Sequence, residues 1–257
     1  MRTHSQICIY VCVCAAAFSA GAQAQLSAGW TNQPGVKMRS GFSGTLSLKG
    51  REGEALVPVT VYRFSIWNRP AVANVKPLST GLVLVQFQSG EAETVVGGTT
   101  NRSGPGDFLL LQRDSSAVFR AASETATFEA LVLGGALAET KLPTSHTALS
   151  HPRVEKYQQV SGRPLKMQTL ASRRVGDFSL EVQDLLVGPS QKTSTFVLPG
   201  ASVLEIKSGK GVMRVDGHAQ AIQGGTIITV KEGQQLELRN DKEDLGLSMH
   251  VTIIRSQ

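Results

Sequence analysis

Beyond residue 14 the chain has no cysteine; its three are Cys8, Cys12 and Cys14. The body of the protein therefore has no disulfide to hold it and no thiolate for chemistry, and its stability rests on an apolar core. Aromatic residues are scarce, at 5%. None alternate with the scattered basic residues, so the stacking platform that single-stranded nucleic acid needs is missing and no nucleic-acid partner is expected. Charge is nearly balanced: 26 Lys and Arg against 20 Asp and Glu give a formal +6. Apolar residues at helical spacing are almost absent. No apolar run reaches the roughly 20 residues of a membrane-spanning helix, so no integral membrane segment is expected.

Hydrolase and nucleotide signatures are missing too. Gly41-Phe42-Ser43-Gly44 lacks the residue that a Gly-x-Ser-x-Gly elbow has between Ser and Gly, and Gly209-Lys210-Gly211 is too short to cradle a phosphate.

The first residues have an export pattern. Arg2 precedes an apolar stretch from Ile7 to Ala20, and Ala22-Gln23-Ala24 supplies the small-x-small site of a signal peptidase. Cleavage after Ala24 removes Arg2, leaving 25 basic against 20 acidic residues, or +5. A periplasmic or secreted location is the expectation. The leader has a bacterial look, so the acceptor pattern Asn101-Arg102-Ser103 is not read as a glycosylation site.

The remaining chain reads as all-β. Short runs of Val, Leu, Ile and Thr, such as 81–87 and 226–230, are broken by Gly and polar turns. Sliding the chain by 119 residues lays Ser89-Gly90 on Ser208-Gly209, Gly98 on Gly217 and Gly106 on Gly225 without a gap. Arg63-Phe64-Ser65-Ile66 also resembles Asp177-Phe178-Ser179-Leu180, at an offset that requires an insertion of five residues in the first copy. The organisation expected is a signal peptide at 1–24, an arm at 25–53, a barrel at 54–140, a linker at 141–174 with a short helix near Val154 to Tyr157, and a second barrel at 175–257.

The second copy carries a family resemblance. Gly225, Lys231-Glu232-Gly233, Leu236 and Asn240 keep the spacing of the second cupin motif, with its Pro and His replaced. Phe196-Val197-Leu198, Ser202 and Gly209 keep the spacing of the first motif, with His-x-His and Glu replaced. In the first copy Gly106-Asp107 opens the second motif, and Gln112, Asp114 and Ala117 stand at its Pro, Gly and His. The chain thus resembles a two-domain cupin. The resemblance implies two tandem jelly-roll barrels of six to eight antiparallel strands each. It also implies that the barrel-interior positions Phe196, Leu198, Ser202 and Leu236 are former metal-site positions, able to face a small ligand or to fill the barrel themselves. Cupin metal centres use imidazoles and a carboxylate. No cofactor and no metal are expected here. Alternation puts Leu204, Ile206 and Leu238 on the same interior face.

Other chemistry-bearing residues have ordinary readings. His250 alternates with Met249 and Val251 and is expected on the outer face of its strand. His218 is expected in an exposed turn, His146 and His151 in the linker, and Glu205, Glu237 and Asp216 on solvated strands or turns. The functional expectation is an exported non-metal bicupin serving as a ligand-binding or structural and interaction module of the cell envelope. Its partner would be a small molecule or an envelope protein, and a homodimer is possible through Trp30, Trp67, Phe64 or Tyr157, although burial in the core is the more ordinary fate of such aromatics. The alternative is a metal-independent isomerase, epimerase or lyase acting on a sugar or small acid. It would need a His or Lys facing an acidic or phenolic residue in a cavity; Tyr62, Lys76, Arg113, Arg120, Arg214 and Arg239 are the candidates to inspect, and no catalytic residue is assigned.

Overall fold

The structure is a computed structural model that describes residues 34–50, 53–67, 72–75, 82–111, 115, 117–137, 146–149, 158–159 and 164–256. The expected leader, Trp30, Lys76, Gln112, Arg113, Asp114, His151 and the short helix near Tyr157 lie outside these residues.

The described part of the first copy contains β1 (Val36–Gly50), β2 (Gly53–Ile66), β3 (Val72–Val75), β4 (Leu82–Ser89), β5 (Ala92–Val96), β6 (Thr99–Ser103), β7 (Phe108–Leu111), β8 (Ala117–Ala121), β9 (Ala126–Leu133) and β10 (His146–Leu149). The second contains β11 (Gln158–Gln159), β12 (Leu165–Val175), β13 (Phe178–Val187), β14 (Phe196–Val197), β15 (Ala201–Ser208), β16 (Lys210–Val215), β17 (His218–Gln223), β18 (Ile227–Val230), β19 (Gln235–Asn240) and β20 (Leu247–Ser256). Each copy folds into a six-stranded and a four-stranded sheet. The orders are β1-β2-β9-β4-β7-β10 with β3-β8-β5-β6, and β11-β12-β13-β20-β15-β18 with β14-β19-β16-β17. Nine strands correspond: β1, β2, β9, β4 and β7 with β12, β13, β20, β15 and β18, and β3, β8, β5 and β6 with β14, β19, β16 and β17. The protein is all-β, two tandem jelly-roll barrels, and every strand pairing among the described residues is antiparallel.

The turn glycines match as the 119-residue offset requires. Gly90 and Gly209 have φ of 68° and 90°, Gly98 and Gly217 of 80° and 82°, and Gly106 and Gly225 of 88° and 89°. At the first pair space is also closed: a Cβ would lie 1.8 Å from Thr125 O at Gly90 and 2.7 Å from Gly246 O at Gly209. Any side chain there meets backbone as well as an unfavourable φ.

Three expectations need correction. The stretch read as a linker supplies strands: β10 pairs with β7 of the first barrel, and β12 is a full partner of β13 in the second. Its prolines and weak alternation hid these strands because they run at sheet edges or at a bulge. The likeness of Arg63-Phe64-Ser65-Ile66 to Asp177-Phe178-Ser179-Leu180 is not structural. Arg63 lies deep in β2 opposite Glu129, whereas Asp177 sits in the turn before β13; the residue in Arg63's place is Asp184, opposite His250. Each barrel also has ten described strands instead of six to eight: nine are common to both copies, and β10 and β11 are added at opposite edges of the six-stranded sheets.

Three apolar clusters hold the fold. One fills the first barrel and one the second. The third lies between the barrels, joining Leu46, Leu84, Leu110 and Leu131 of the first to Leu170, Val182, Val203 and Ile254 of the second. Each six-stranded sheet is thus covered on both faces. That explains why Leu82-Val83-Leu84-Val85 and Phe108-Leu109-Leu110-Leu111 are apolar without alternation: every side chain in both runs is buried. Each such Leu or Val contributes about 1.5–3 kcal/mol by leaving water.

Candidate functional site

Three of the four former metal-site positions, Phe196, Leu198 and Leu236, lie in the apolar cluster of the second barrel. Phe196 and Leu236 are direct cross-strand partners, and Leu198 packs in the same cluster with Leu204, Ile206 and Leu238. All four positions are buried, with Ser202 and Leu236 at 0% exposure, and Ser202 Oγ donates to Gly200 O at 2.9 Å. Three hydrocarbons and one hydroxyl already paired with backbone do not fit a metal, which needs lone pairs. Asn240, the last residue of the motif, has a structural part. Its Nδ2 donates to the carbonyls of Val187, Gly188 and Leu245, and its Oδ1 accepts from Lys242 N.

In the first barrel Val83 and Ala117 occupy the places of Ser202 and Leu236, both fully buried. Phe64, Phe87, Phe119 and Phe128 fill the space around them, with ring centroids 4.6–5.9 Å apart. Among the described residues no group of three or more His, Cys, Asp or Glu is placed to hold a metal ion.

Charged groups gather between the barrels instead. Glu129 of β9 lies opposite Arg63 of β2 and Gln86 of β4, while Glu205 of β15 lies opposite His250 of β20. Both sets sit on the sheet faces that meet across the interface. Gln88 and Lys207 are the bulged residues of β4 and β15, left out of register at equivalent places and turned into the same cluster. Arg63 Nε donates to Glu129 Oε1 at 2.6 Å and Nη2 to Glu205 Oε1 at 2.9 Å. Lys207 Nζ stands 3.3 Å from an oxygen of each carboxyl, and Gln88 Nε2 donates to Glu129 Oε2 at 3.1 Å. The two carboxyl groups adjoin each other, bridged by Arg63 and by Lys207.

Burial and the adjoining Glu129 push Glu205 up to about 7. Burial opposes the charge of Glu129 as well, but the hydrogen bond from Glu205, with Lys207 and Arg63, outweighs it and holds Glu129 below the usual carboxyl range. His250 falls to about 4 through burial and the nearby Lys207.

This cluster corrects two expectations. His250 does face away from its barrel's interior, but that face is covered by the other barrel, and its Nδ1 lies 2.6 Å from Gln86 Nε2. Glu205 is not solvated; its side chain is 13% exposed. Alternation identifies a face, not what covers it. The usable signal was in the flanking runs, whose two-sided apolarity marks these sheets as covered on both sides.

The two carboxyls lie between two cavities. A narrow one of about 40 Å³ reaches Gln86, His250 and Ile227. A groove of about 360 Å³ opens to solvent past Arg63, Lys207, Gln88, Ser65 and Thr127.

Other residues singled out do not converge. His218 is exposed, Tyr62 is in the first core, and Trp67 is 49% exposed while Phe64 is buried. Arg120 stands 3.6 Å from Glu93, Arg214 and Lys192 pair with Glu237, and Arg239 pairs with Asp241. Asp216 accepts from Gln234 and Gln235 in its turn.

No protein-family model matches the chain, and no curated protein sequence does. Solved structures do. AerE from Microcystis aeruginosa is similar at TM-score 0.57 and 13% identity, covering 84% of this chain and 99% of that one. YlbA from E. coli gives 0.57 and 14%, covering 89% and 87%. Oxalate decarboxylase from Bacillus subtilis, described for its Mn(II) centres, gives 0.55 and 13%, covering 88% and 79%.

Proposed function

We propose, from the two-barrel cupin fold that the chain shares with these structures, that the protein is an exported bicupin that works without a barrel-bound metal, as a ligand-binding or structural and interaction module of the cell envelope, with the groove between the barrels as its ligand site. One observation carries this reading: apolar side chains fill both barrel centres, and a cluster of four charged residues, Arg63, Lys207, Glu129 and Glu205, lines a groove open to solvent at the barrel interface. The manganese chemistry of the decarboxylase is not carried over, because Phe196, Leu198 and Leu236 offer no donor atoms. Export is supported by the leader pattern at residues 1–24. No helix among the described residues is long and apolar enough to cross a membrane.

The test is native mass spectrometry and elemental analysis of the protein recovered from its host's periplasm or medium. The expected species is residues 25 to 257, free of stoichiometric metal, with a small-molecule adduct that Arg63→Ala abolishes. Stoichiometric Fe, Mn or Ni removable by a chelator, or a cytoplasmic protein retaining residues 1 to 24, would overturn the reading.

The metal-independent isomerase, epimerase or lyase keeps one supporting observation. Glu129 and Glu205 are adjoining carboxyls open to the groove, one held below the usual range and the other raised to about 7, which is the equipment of general acid–base chemistry. Turnover abolished by Glu205→Gln with ligand retention intact would favour it.

A further inference from the structure

The charges at the inter-barrel groove are layered. Glu129 and Glu205 form its floor, with side chains 10% and 13% exposed, whereas Arg63 and Lys207 lie nearer solvent at 37% and 22%. A molecule approaching from solvent meets cations first. Arg63 uses Nε and Nη2 on the carboxyls, and its Nη1 lies toward Gly225, 3.7 Å from where a Cβ would stand. Ser65 and Thr127 add hydroxyls and Gln88 an amide to the walls. Arg63 and Lys207 face both carboxyls, and below about pH 7, where Glu205 keeps its proton, the cluster has one positive charge more than its negative charges.

We propose that this groove binds a small organic monoanion, a carboxylate, and that the Glu129–Glu205 pair must hold its proton for the anion to bind. The proposal rests on the groove being the ligand site. Around Glu205 stand Glu129 of β9, Arg63 of β2, Lys207 of its own strand and His250 of β20, with Gln86 of β4 beyond and Asp184 of β13 in register with His250. His250 is uncharged above about pH 4, so near neutrality Glu205 is the member whose charge changes. Loss of its proton brings the cluster to zero net charge and sets a second carboxylate under the anion.

The experiment is isothermal titration calorimetry of the purified full chain with sodium lactate as the anionic probe and glycerol as the uncharged one, at pH 6 and pH 8. A site that requires a proton lost near pH 7 binds lactate about tenfold more weakly at pH 8 than at pH 6. Glycerol gives no heat of binding. Glu205→Gln, which imitates the protonated acid, binds lactate equally at both pH values. Lys207→Gln loses about tenfold or more at pH 6, and Lys207→Arg, which keeps the charge, retains binding and controls for folding.

Equal binding of glycerol and lactate, pH-independent binding by the natural protein, or a pH dependence that persists in Glu205→Gln would each overturn the proposal while leaving the groove as a ligand site. Absence of lactate binding at pH 6 also overturns it. In that case an adduct lost on Arg63→Ala would still uphold the groove, and only absence of both would remove it.

Discussion

Gln86 Nε2 lies 2.6 Å from His250 Nδ1, and this contact is the duplicated counterpart of the one between Glu129 and Glu205. Gln86 and Glu205 hold the same register position in the two barrels, as do Glu129 and His250, because Gln86 faces Glu129 in one sheet and Glu205 faces His250 in the other. The two barrels thus meet through one contact made twice. One version is a pair of adjoining carboxyls, of which Glu205 is raised to about 7. The other is an amide donating to a neutral imidazole.

These versions answer pH in opposite directions. The folded state holds the Glu205 proton up to about 7 against an ordinary 4.5, so this group's stabilisation is full below 4.5 and is lost as pH rises to 7. His250 is depressed to about 4 from 6.5; it lowers stability at acid pH and ceases to do so as pH rises from 4 to 6.5. Each effect amounts to about 3 kcal/mol at most, and over the shared window they offset. Chemical denaturation of the natural protein should therefore change little between pH 4.5 and 6.5. Glu205→Gln should become more stable as pH rises over that window, and His250→Gln less stable. Parallel profiles for the two variants would refute the assignment.

A second expectation separates two glycines of nearly equal backbone angle. Gly209 and Gly217 have φ of 90° and 82°, but a Cβ at Gly209 would meet Gly246 O at 2.7 Å and one at Gly217 would meet nothing within 4 Å. Gly217→Ala should cost about 1 kcal/mol, the left-handed conformation alone. Gly209→Ala should cost about 3 kcal/mol or more, since backbone must also move. Thermal melts of the two variants check this, and equal losses would show that the close approach is relieved cheaply.

The duplication and the barrel interior were legible because they rest on local rules. Gly90, Gly98 and Gly106 and their partners are fixed by turns that need positive φ, and Phe196, Leu204, Leu236 and Leu238 by strand alternation. The groove was not legible for the same reason. Glu129, Glu205 and His250 each alternate correctly with apolar neighbours, and only long-range packing of one barrel on the other turns their solvent-facing positions into an interface. The edge strand β10 and all of β12 but Val175 were missed because short or bulged strands carry too few alternations to be recognised.

The shared apolar cluster makes the barrels one unfolding unit. Leu84, Leu110 and Leu131 of one barrel pack with Val182, Val203 and Ile254 of the other, all 8% exposed or less. Separation would expose these surfaces and the carboxyl pair together. Calorimetry should show one transition whose van't Hoff and calorimetric enthalpies agree. Val203→Asp, which places a charge in that cluster, should lower the midpoint for both barrels at once; two separate transitions in the natural protein would contradict this account.

The cupin motif positions allow a constructive test. Phe196 and Leu236 are cross-strand partners on β14 and β19, and Leu198 and Ser202 are buried, which makes the four former motif positions accessible to a direct test of convergence. The variant Phe196→His, Leu198→His, Ser202→Glu, Leu236→His should be strongly destabilised without metal, because it exchanges packed hydrocarbon for buried polar groups. Nickel or zinc should restore much of the loss, since a metal that binds only the folded state raises stability with its concentration. The measurement is the thermal midpoint against metal concentration, with elemental analysis for stoichiometry. A midpoint that metal raises in the variant but not in the natural protein would establish that the former ligand positions still converge. A variant that folds yet ignores metal would mean that the barrel has tightened around its apolar filling, and the motif spacing would then survive only through its turns.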